Sequence, residues 1–157
     1  MTKVVFVCEG NICRSPTAEA LFTELLRVRH QDSFFDVFSR ALIVDTQGQP
    51  IDPRAVRLLQ DHQIPFNPDK KAKPLTKNEY DESQYVITMD TYNRVLLSRL
   101  LILKDKSKIH RLLDFTAKPG DILDPYFTHD FATAYAQIAQ GCQALLERLC
   151  PAASPLA

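Results

Sequence analysis

An α/β fold on a parallel sheet is what this sequence predicts, and three observations carry the prediction. Short apolar runs of strand length alternate with amphipathic patterns of helix length along most of the chain, which is the sequence form of β-α-β crossovers. The first run, Val4-Val5-Phe6-Val7, is apolar at consecutive rather than alternate positions, as a strand buried on both faces of a sheet requires. The segment that leaves it contains Gly10 and Asn11 and ends in Ser15-Pro16, a turn that feeds directly into a helical pattern.

The elements follow in order. Residues 4–8 form the first strand, and a helix is expected from residue 16 to about residue 30, with Ser15 as its N-cap and Pro16 as its first residue. Ala18, Leu21, Phe22 and Leu25 recur there at helical spacing. Residues 34–39 suit a second strand. Asp52-Pro53, a capping residue followed by proline, opens a helix whose inner face includes Ala55, Leu58, Leu59 and His62. A third strand at 85–89 precedes a leucine-rich helix at about 91–101, and 109–115 reads as the fourth strand. The last helix is the most periodic: Phe131, Ala134, Tyr135, Ile138, Cys142, Leu145, Leu146 and Leu149 form one stripe, and Pro151 stops it. Residues 1–150 are expected as one domain and 151–157 as a loose tail.

Composition narrows the function. With 157 residues and 45% apolar content, the chain can bury its core without disulfides or metals. Nineteen basic side chains balance nineteen acidic ones, so no global field recruits nucleic acid or an acidic membrane. No apolar run approaches the ~20 residues a spanning helix needs, and Glu9 and Asn11 interrupt the early apolar run that a signal peptide would extend. A cytoplasmic protein with neither metal nor cofactor is expected, since no His, Cys, Asp or Glu cluster has ligand spacing.

The loop Cys8-Glu9-Gly10-Asn11-Ile12-Cys13-Arg14-Ser15 reads as an anion cradle with a nucleophile at its floor. Winding a backbone around a tetrahedral oxyanion turns N–H groups inward and takes some residues out of ordinary conformations, which Gly and Asn tolerate best. The helix N-terminus after the loop favours negative charge. Arg14 can add a planar fork to two oxygens, and the same environment favours the Cys8 thiolate. Neither Gly-x4-Gly-Lys-Ser/Thr nor Gly-x-Gly-x-x-Gly is present, so other phosphate loops fit badly.

The string Cys8-Glu9-Gly10-Asn11-Ile12-Cys13-Arg14-Ser15-Pro16 resembles the signature of low-molecular-weight protein tyrosine phosphatases, whose loop also opens the chain. Asp124-Pro125-Tyr126-Phe127 is similar to the family's late Asp-Pro pair and its aromatic followers. Asp52-Pro53-Arg54-Ala55 and Thr88-Met89-Asp90-x-x-Asn93 extend the likeness to about residues 3–149. It implies a four-stranded parallel sheet of order 2-1-3-4 with the site at the carboxyl ends of the strands. It also implies hydrolysis of phosphotyrosine proteins and aryl phosphates through a phosphocysteine intermediate. Inorganic phosphate or another oxyanion would then act as product or inhibitor. Cys8 would be the nucleophile, Arg14 the transition-state clamp and Asp124 the general acid, which predicts best activity at mildly acidic pH. Asn11, Ser15 and Ser39 would brace the loop, while Tyr126 and Phe127 would wall the substrate. From sequence alone, Asp124-Pro125 also fits a helix cap or a turn.

Four departures from the family pattern bear on specificity and support. Ser39-Arg40-Ala41-Leu42 stands where Ser-Ala-Gly-Thr is common, and Asp45 aligns with an aromatic wall position. Glu9 follows the nucleophile where an apolar residue is common, and Lys70 is nearest to a histidine that supports the loop in some relatives. Glu9 and Asp45 together are expected to favour basic over acidic substrates. His62 matches another family histidine and is expected to be partly buried and structural. Cys13 is either packing under the loop or the partner of Cys8 in a reversible disulfide. Cys142 and Cys150, eight residues apart on a helix, lie about 12 Å apart in rise and do not pair. Arsenate reductases share fold and loop but need further cysteines, and residues 70–110 contain none. A non-catalytic phosphate-binding module would have lost the nucleophile or the acid, and both are present.

Overall fold

The structure is a computed structural model, and it describes residues 1–101, 103 and 105–151. Four parallel strands lie in the order β2-β1-β3-β4: β1 Thr2–Cys8, β2 Phe35–Ala41, β3 Tyr85–Thr88 and β4 Ile109–Arg111. The central strand explains the arrangement. Val4, Phe6 and Cys8 point into one apolar cluster and Val5 and Val7 into the other, so β1 must be covered on both sides. Helices α1 (Arg14–Val28), α2 (Pro53–Asp61) and α6 (Phe131–Leu149) cover the first side through residues such as Phe22, Leu59 and Leu145. Helices α3 (Lys77–Glu82) and α4 (Thr91–Leu100) cover the second through Tyr80 and Leu97. A four-residue helix, α5 (Pro125–Thr128), follows Asp124.

Pairing register carries the loop to its place. Cys8, the last residue of β1, sits beside Ala41, the last of β2, so the chain leaves the sheet at the carboxyl edge shared by both strands. The expected fourth strand is shorter than its apolar run: residues 112–115 coil into a 3-10 turn, and Leu112 and Leu113 pack into the core from it. Helix α1 begins at Arg14, two residues before the expected start, with Cys13 as its N-cap. Ser15 is therefore not the cap. Its hydroxyl turns instead toward Cys8 and Asn11, a use that cap statistics do not register. Helix α3 was absent from the expected elements, although Thr76 and Glu79 form a reciprocal capping box at its start. Of the loose tail expected at 151–157, only Pro151 lies within the described residues.

The last helix keeps its expected span and stripe, with Ala134, Tyr135, Ile138, Cys142, Leu145 and Leu146 all buried. His62 was expected to be partly buried; as the residue that ends α2 it is exposed, and it stacks on Tyr135 with ring centroids 4.3 Å apart, a structural contact. All four cysteines are free. No described helix is long and apolar enough to cross a membrane.

Candidate active site

Residues 8–15 wrap around the floor of a cleft of about 310 Å³, which Cys8, Arg14, Asp124, Tyr126 and Phe127 all line. The loop holds its shape because its carbonyls are engaged on the outside. Leu42 N–H donates to Cys8 O at 3.0 Å, Ile43 N–H to Glu9 O at 3.2 Å, the Thr46 hydroxyl to Gly10 O at 2.7 Å and Asp52 N–H to Ile12 O at 2.7 Å. Thr17 N–H closes the first turn of α1 on Cys13 O at 3.1 Å. The N–H groups of Cys13, Arg14 and Ser15 precede that first helical bond, so the helix itself offers them no acceptor. A loop with its carbonyls tied outward that runs into a helix N-terminus has the chemistry to receive an oxyanion.

Asn11 takes the left-handed conformation, with φ 57°. Gly10 does not, and its small size serves closeness: a Cβ there would lie 3.3 Å from the Thr46 methyl. The Asn11 N–H points at Cys8 Sγ from 3.3 Å, and the Ser15 hydroxyl lies 3.0 Å from the same sulfur. The Asn11 amide donates to Ser15 Oγ at 2.8 Å and to Ser39 Oγ at 3.0 Å, so these three residues and Cys8 form one buried cluster.

Arg14 is 2% exposed, and its guanidinium is tied at three points. Nη1 donates to Asp90 Oδ2 at 2.6 Å and to Ile122 O at 2.7 Å, while Nη2 donates to Asp124 Oδ2 at 3.3 Å. Of five guanidinium hydrogens, Nε–H and one on Nη2 are left for an oxyanion. Burial alone would lower the pKa of this group, but Cys8, Asp90 and Asp124 around it hold it above its ordinary value. Burial pushes the Cys13 thiol far above its ordinary range, and Cys8, Asp52 and Asp124 push the same way. Cys13 therefore stays a neutral thiol beside Cys8.

With that geometry in hand, comparison with known proteins is decisive. The family model described as low molecular weight phosphotyrosine protein phosphatase matches residues 3–153. The chain belongs to that family. It is 35% identical over 151 residues to the low molecular weight phosphotyrosine protein phosphatase of Sus scrofa, covering 93% of this chain and 94% of that protein. It is 33% identical over 148 residues to the low molecular weight protein-tyrosine-phosphatase YfkJ of Bacillus subtilis, covering 93% and 94%. The YfkJ crystal structure superposes with a TM-score of 0.90 over 95% of this chain and 94% of that one. The SP-PTP phosphatase of Streptococcus pyogenes gives 0.87 at 32% identity, over 97% and 95%.

Most residues expected at the site come together. Asp124 caps α5 by accepting from Tyr126 N–H at 3.0 Å and also reaches Arg14, so one carboxylate both caps the helix and lies at the cleft. Tyr126 and Phe127, each 72% exposed, stand edge to face at the cleft mouth. Asp45 is different. It is exposed and does not line the cleft. The hydrogen bond from Thr46 to Gly10 O draws Thr46 inward instead, and Ile43 and Thr46 form that wall. Arg54, clamped by Asp52 and stacked on Phe131, completes the rim. Asp90 was not expected at the site. Its signal is an Asp between a strand and a helix, where it accepts from Asn93 N–H at 2.7 Å as the α4 cap.

Because Asp90 both caps α4 and neutralises a buried cation, its two roles separate by substitution. Asp90→Ala is expected to lower unfolding free energy by about 2–4 kcal/mol. Asp90→Asn, which keeps the cap, should lower it by about 1 kcal/mol less. Urea denaturation under reducing conditions reads both.

Proposed function

We propose that this chain hydrolyses phosphotyrosine and aryl phosphate monoesters, with Cys8 as nucleophile, Arg14 as clamp and Asp124 as proton carrier. The observation that carries the reading is the setting of Cys8 Sγ. It lies on the floor of the cleft, with the Ser15 hydroxyl at 3.0 Å and the Asn11 N–H at 3.3 Å beside it. The thiolate attacks phosphorus in line, and the sulfur–phosphorus bond forms as the bond to the aryl oxygen breaks. Loop N–H groups of residues 9–15 and the free edge of Arg14 stabilise the equatorial oxygens. Asp124, protonated, gives its proton to the departing oxygen. As a carboxylate it then takes a proton from the water that attacks phosphorus, and Cys8 leaves as thiolate with phosphate as product.

An arriving phosphate competes with Asp124 for Arg14. The Asp124 contact is the longest of the guanidinium's three, at 3.3 Å, and the phosphate's charge disfavours a second anion nearby. Substrate therefore loosens Asp124 from Arg14. Inorganic phosphate and similar tetrahedral oxyanions inhibit through the same cradle. A thiol nucleophile with a second thiol in its loop needs a reducing compartment, which supports a cytoplasmic location.

The acid requirement fixes the sign of the pH dependence. Because the first step needs a proton carried to the leaving oxygen, turnover falls as pH rises. Asp124→Asn should lose about 10²–10³-fold in kcat on phenyl phosphate, with the alkaline fall flattened, and lose less on p-nitrophenyl phosphate, whose leaving group needs less help. Cys8→Ser should be inactive on both. Turnover by Cys8→Ser would contradict the assignment.

Glu9 supports a substrate preference. Its carboxylate has no hydrogen bond or ion pair among the described residues, and it lines both the catalytic cleft and an adjoining groove that holds Asp90, Tyr92, Asp121 and Leu123. Peptides with Lys or Arg next to phosphotyrosine should show kcat/KM about three- to tenfold above their Asp or Glu counterparts at low salt. Glu9→Gln should erase most of that ratio, and a ratio unchanged in Glu9→Gln would remove Glu9 from substrate selection.

A further inference from the structure

Beside the catalytic cleft lies a groove of about 450 Å³ that is continuous with it, since Glu9, Arg14, Asp124 and Phe127 line both. Its far wall comes from residues that the reaction does not use: Tyr92 in the first turn of α4, and Asp121 and Leu123 in the stretch that leads to α5. Tyr92 and Leu123 are each more than half exposed, and the Tyr92 ring has no stacking partner among the described residues. Tyr126 lines the cleft alone, whereas Phe127 lines both spaces and so stands as the partition between them. Consecutive Cα atoms of a bound peptide are about 3.8 Å apart, which brings the neighbours of a phosphotyrosine past that partition.

The unpaired polar atoms of the groove select the chemistry of its occupant. Backbone donors at the start of α4 are already taken: Thr91 N–H donates to Asp121 Oδ1 at 2.9 Å and Asn93 N–H to Asp90 Oδ1 at 2.7 Å. Asp90 and Asp124 each give their second oxygen to Arg14. Asp121 Oδ1 also accepts from the Thr91 hydroxyl at 2.9 Å and from Arg111 Nη1 at 3.0 Å. Asp121 Oδ2 has no partner among the described residues, and neither has the Glu9 carboxylate. What remains for a ligand is a set of anionic acceptors beside an aromatic ring. Asp90 and Asp124 both offset Arg14, and Arg111 meets Asp121 from outside, so the groove keeps an excess of negative charge. Burial acts to raise the Asp121 pKa, but hydrogen bonds from Thr91 and Arg111 hold it below its ordinary value.

We propose that this groove is a subsite for an arginine side chain next to the phosphotyrosine of the substrate, with Tyr92 as the residue that distinguishes arginine from lysine. The inference rests on the reading of the chain as a phosphotyrosine phosphatase. It goes beyond the charge preference assigned to Glu9, which treats the two basic residues alike. A guanidinium is planar, so it stacks on the Tyr92 ring while its edge donates to Glu9 and Asp121 from two separate segments. Its methylene stem covers Leu123. An ammonium is a more strongly hydrated point charge and gains less from the ring. An acidic side chain meets only acceptors of its own sign.

The test compares kcat/KM for phosphotyrosine peptides that carry arginine, lysine or citrulline at each of the two positions on either side of phosphotyrosine. Low and high salt are both used, with phenyl phosphate as the reference substrate. At one of these positions arginine should exceed lysine about threefold and citrulline, its neutral planar isostere, about fivefold. The advantage over citrulline should shrink at high salt, while the advantage over lysine, which carries the same charge, should persist. Tyr92→Leu, an exchange at an exposed position, should bring the arginine-to-lysine ratio to about one, and Tyr92→Phe should keep it near threefold. A wild-type ratio of about one at every position, a ratio unchanged in Tyr92→Leu, or equal rates for arginine and citrulline would each overturn the subsite. Those results leave the phosphatase reading standing wherever wild type hydrolyses phenyl phosphate. A folded wild type that hydrolyses neither phenyl phosphate nor any peptide would overturn both.

Discussion

One buried asparagine in a left-handed conformation is the constraint on which the site depends. Asn11 is 1% exposed with φ 57°, a conformation that costs a non-glycine residue about 1 kcal/mol or more. Such strain persists only where the surroundings over-determine it. Here two donors fix the Asn11 carbonyl oxygen, two hydroxyls take its amide hydrogens, and its backbone N–H faces Cys8. At about 1 kcal/mol net for each bond, their sum exceeds the strain. The loop is thus held open by β2, α1 and the segment around Lys70, and it does not need an anion inside it to keep its shape. A receptor organised before its ligand arrives loses little in reorganisation when charge develops.

Arg14 shows the opposite design, a buried cation held by partners of unequal closeness. A cation at 2% exposure needs carboxylates beside it, and Asp90 and Asp124 supply them from two different segments. The pairs are unequal. Asp90, at 2.6 Å and anchored as the α4 cap, keeps the guanidinium pointed across the cleft. Asp124, at 3.3 Å and more exposed, sits where a carboxylate can exchange Arg14 for a leaving oxygen. Fixed support on one side and a longer contact on the other suit the proposed use of Arg14 as both structure and clamp.

Much of this was legible in the sequence, for identifiable reasons. The sheet and its principal helices followed from consecutive apolar residues in β1 and the unbroken stripe of α6. The loop declared itself because Cys8, Gly10, Asn11 and Arg14 fall between strand and helix, where their chemistry converges. What stayed hidden depends on distances across the fold. Asp90 is 76 positions from Arg14, and Lys70 is 59 from Asn11, so no local pattern links them. The start of α1 was misplaced because Ser15-Pro16 is a strong cap signal, and tertiary bonds to Cys8 and Asn11 override it. The family pattern puts Asp45 on the wall, whereas the irregular stretch after β2 turns Thr46 inward through a single hydrogen bond. The 3-10 turn after β4 lay in a continuous apolar run, which does not separate a strand from a coil that packs into the same core.

The proposed reaction passes phosphate through a covalent bond to Cys8. Acid quenching within milliseconds of mixing with p-nitrophenyl phosphate, followed by digestion and mass spectrometry, tests it most directly. The account predicts the added mass of one phosphoryl group on the peptide that contains Cys8 and on no other peptide. Turnover that proceeds with every cysteine peptide unmodified, or a phosphoryl group found on another residue, would contradict it.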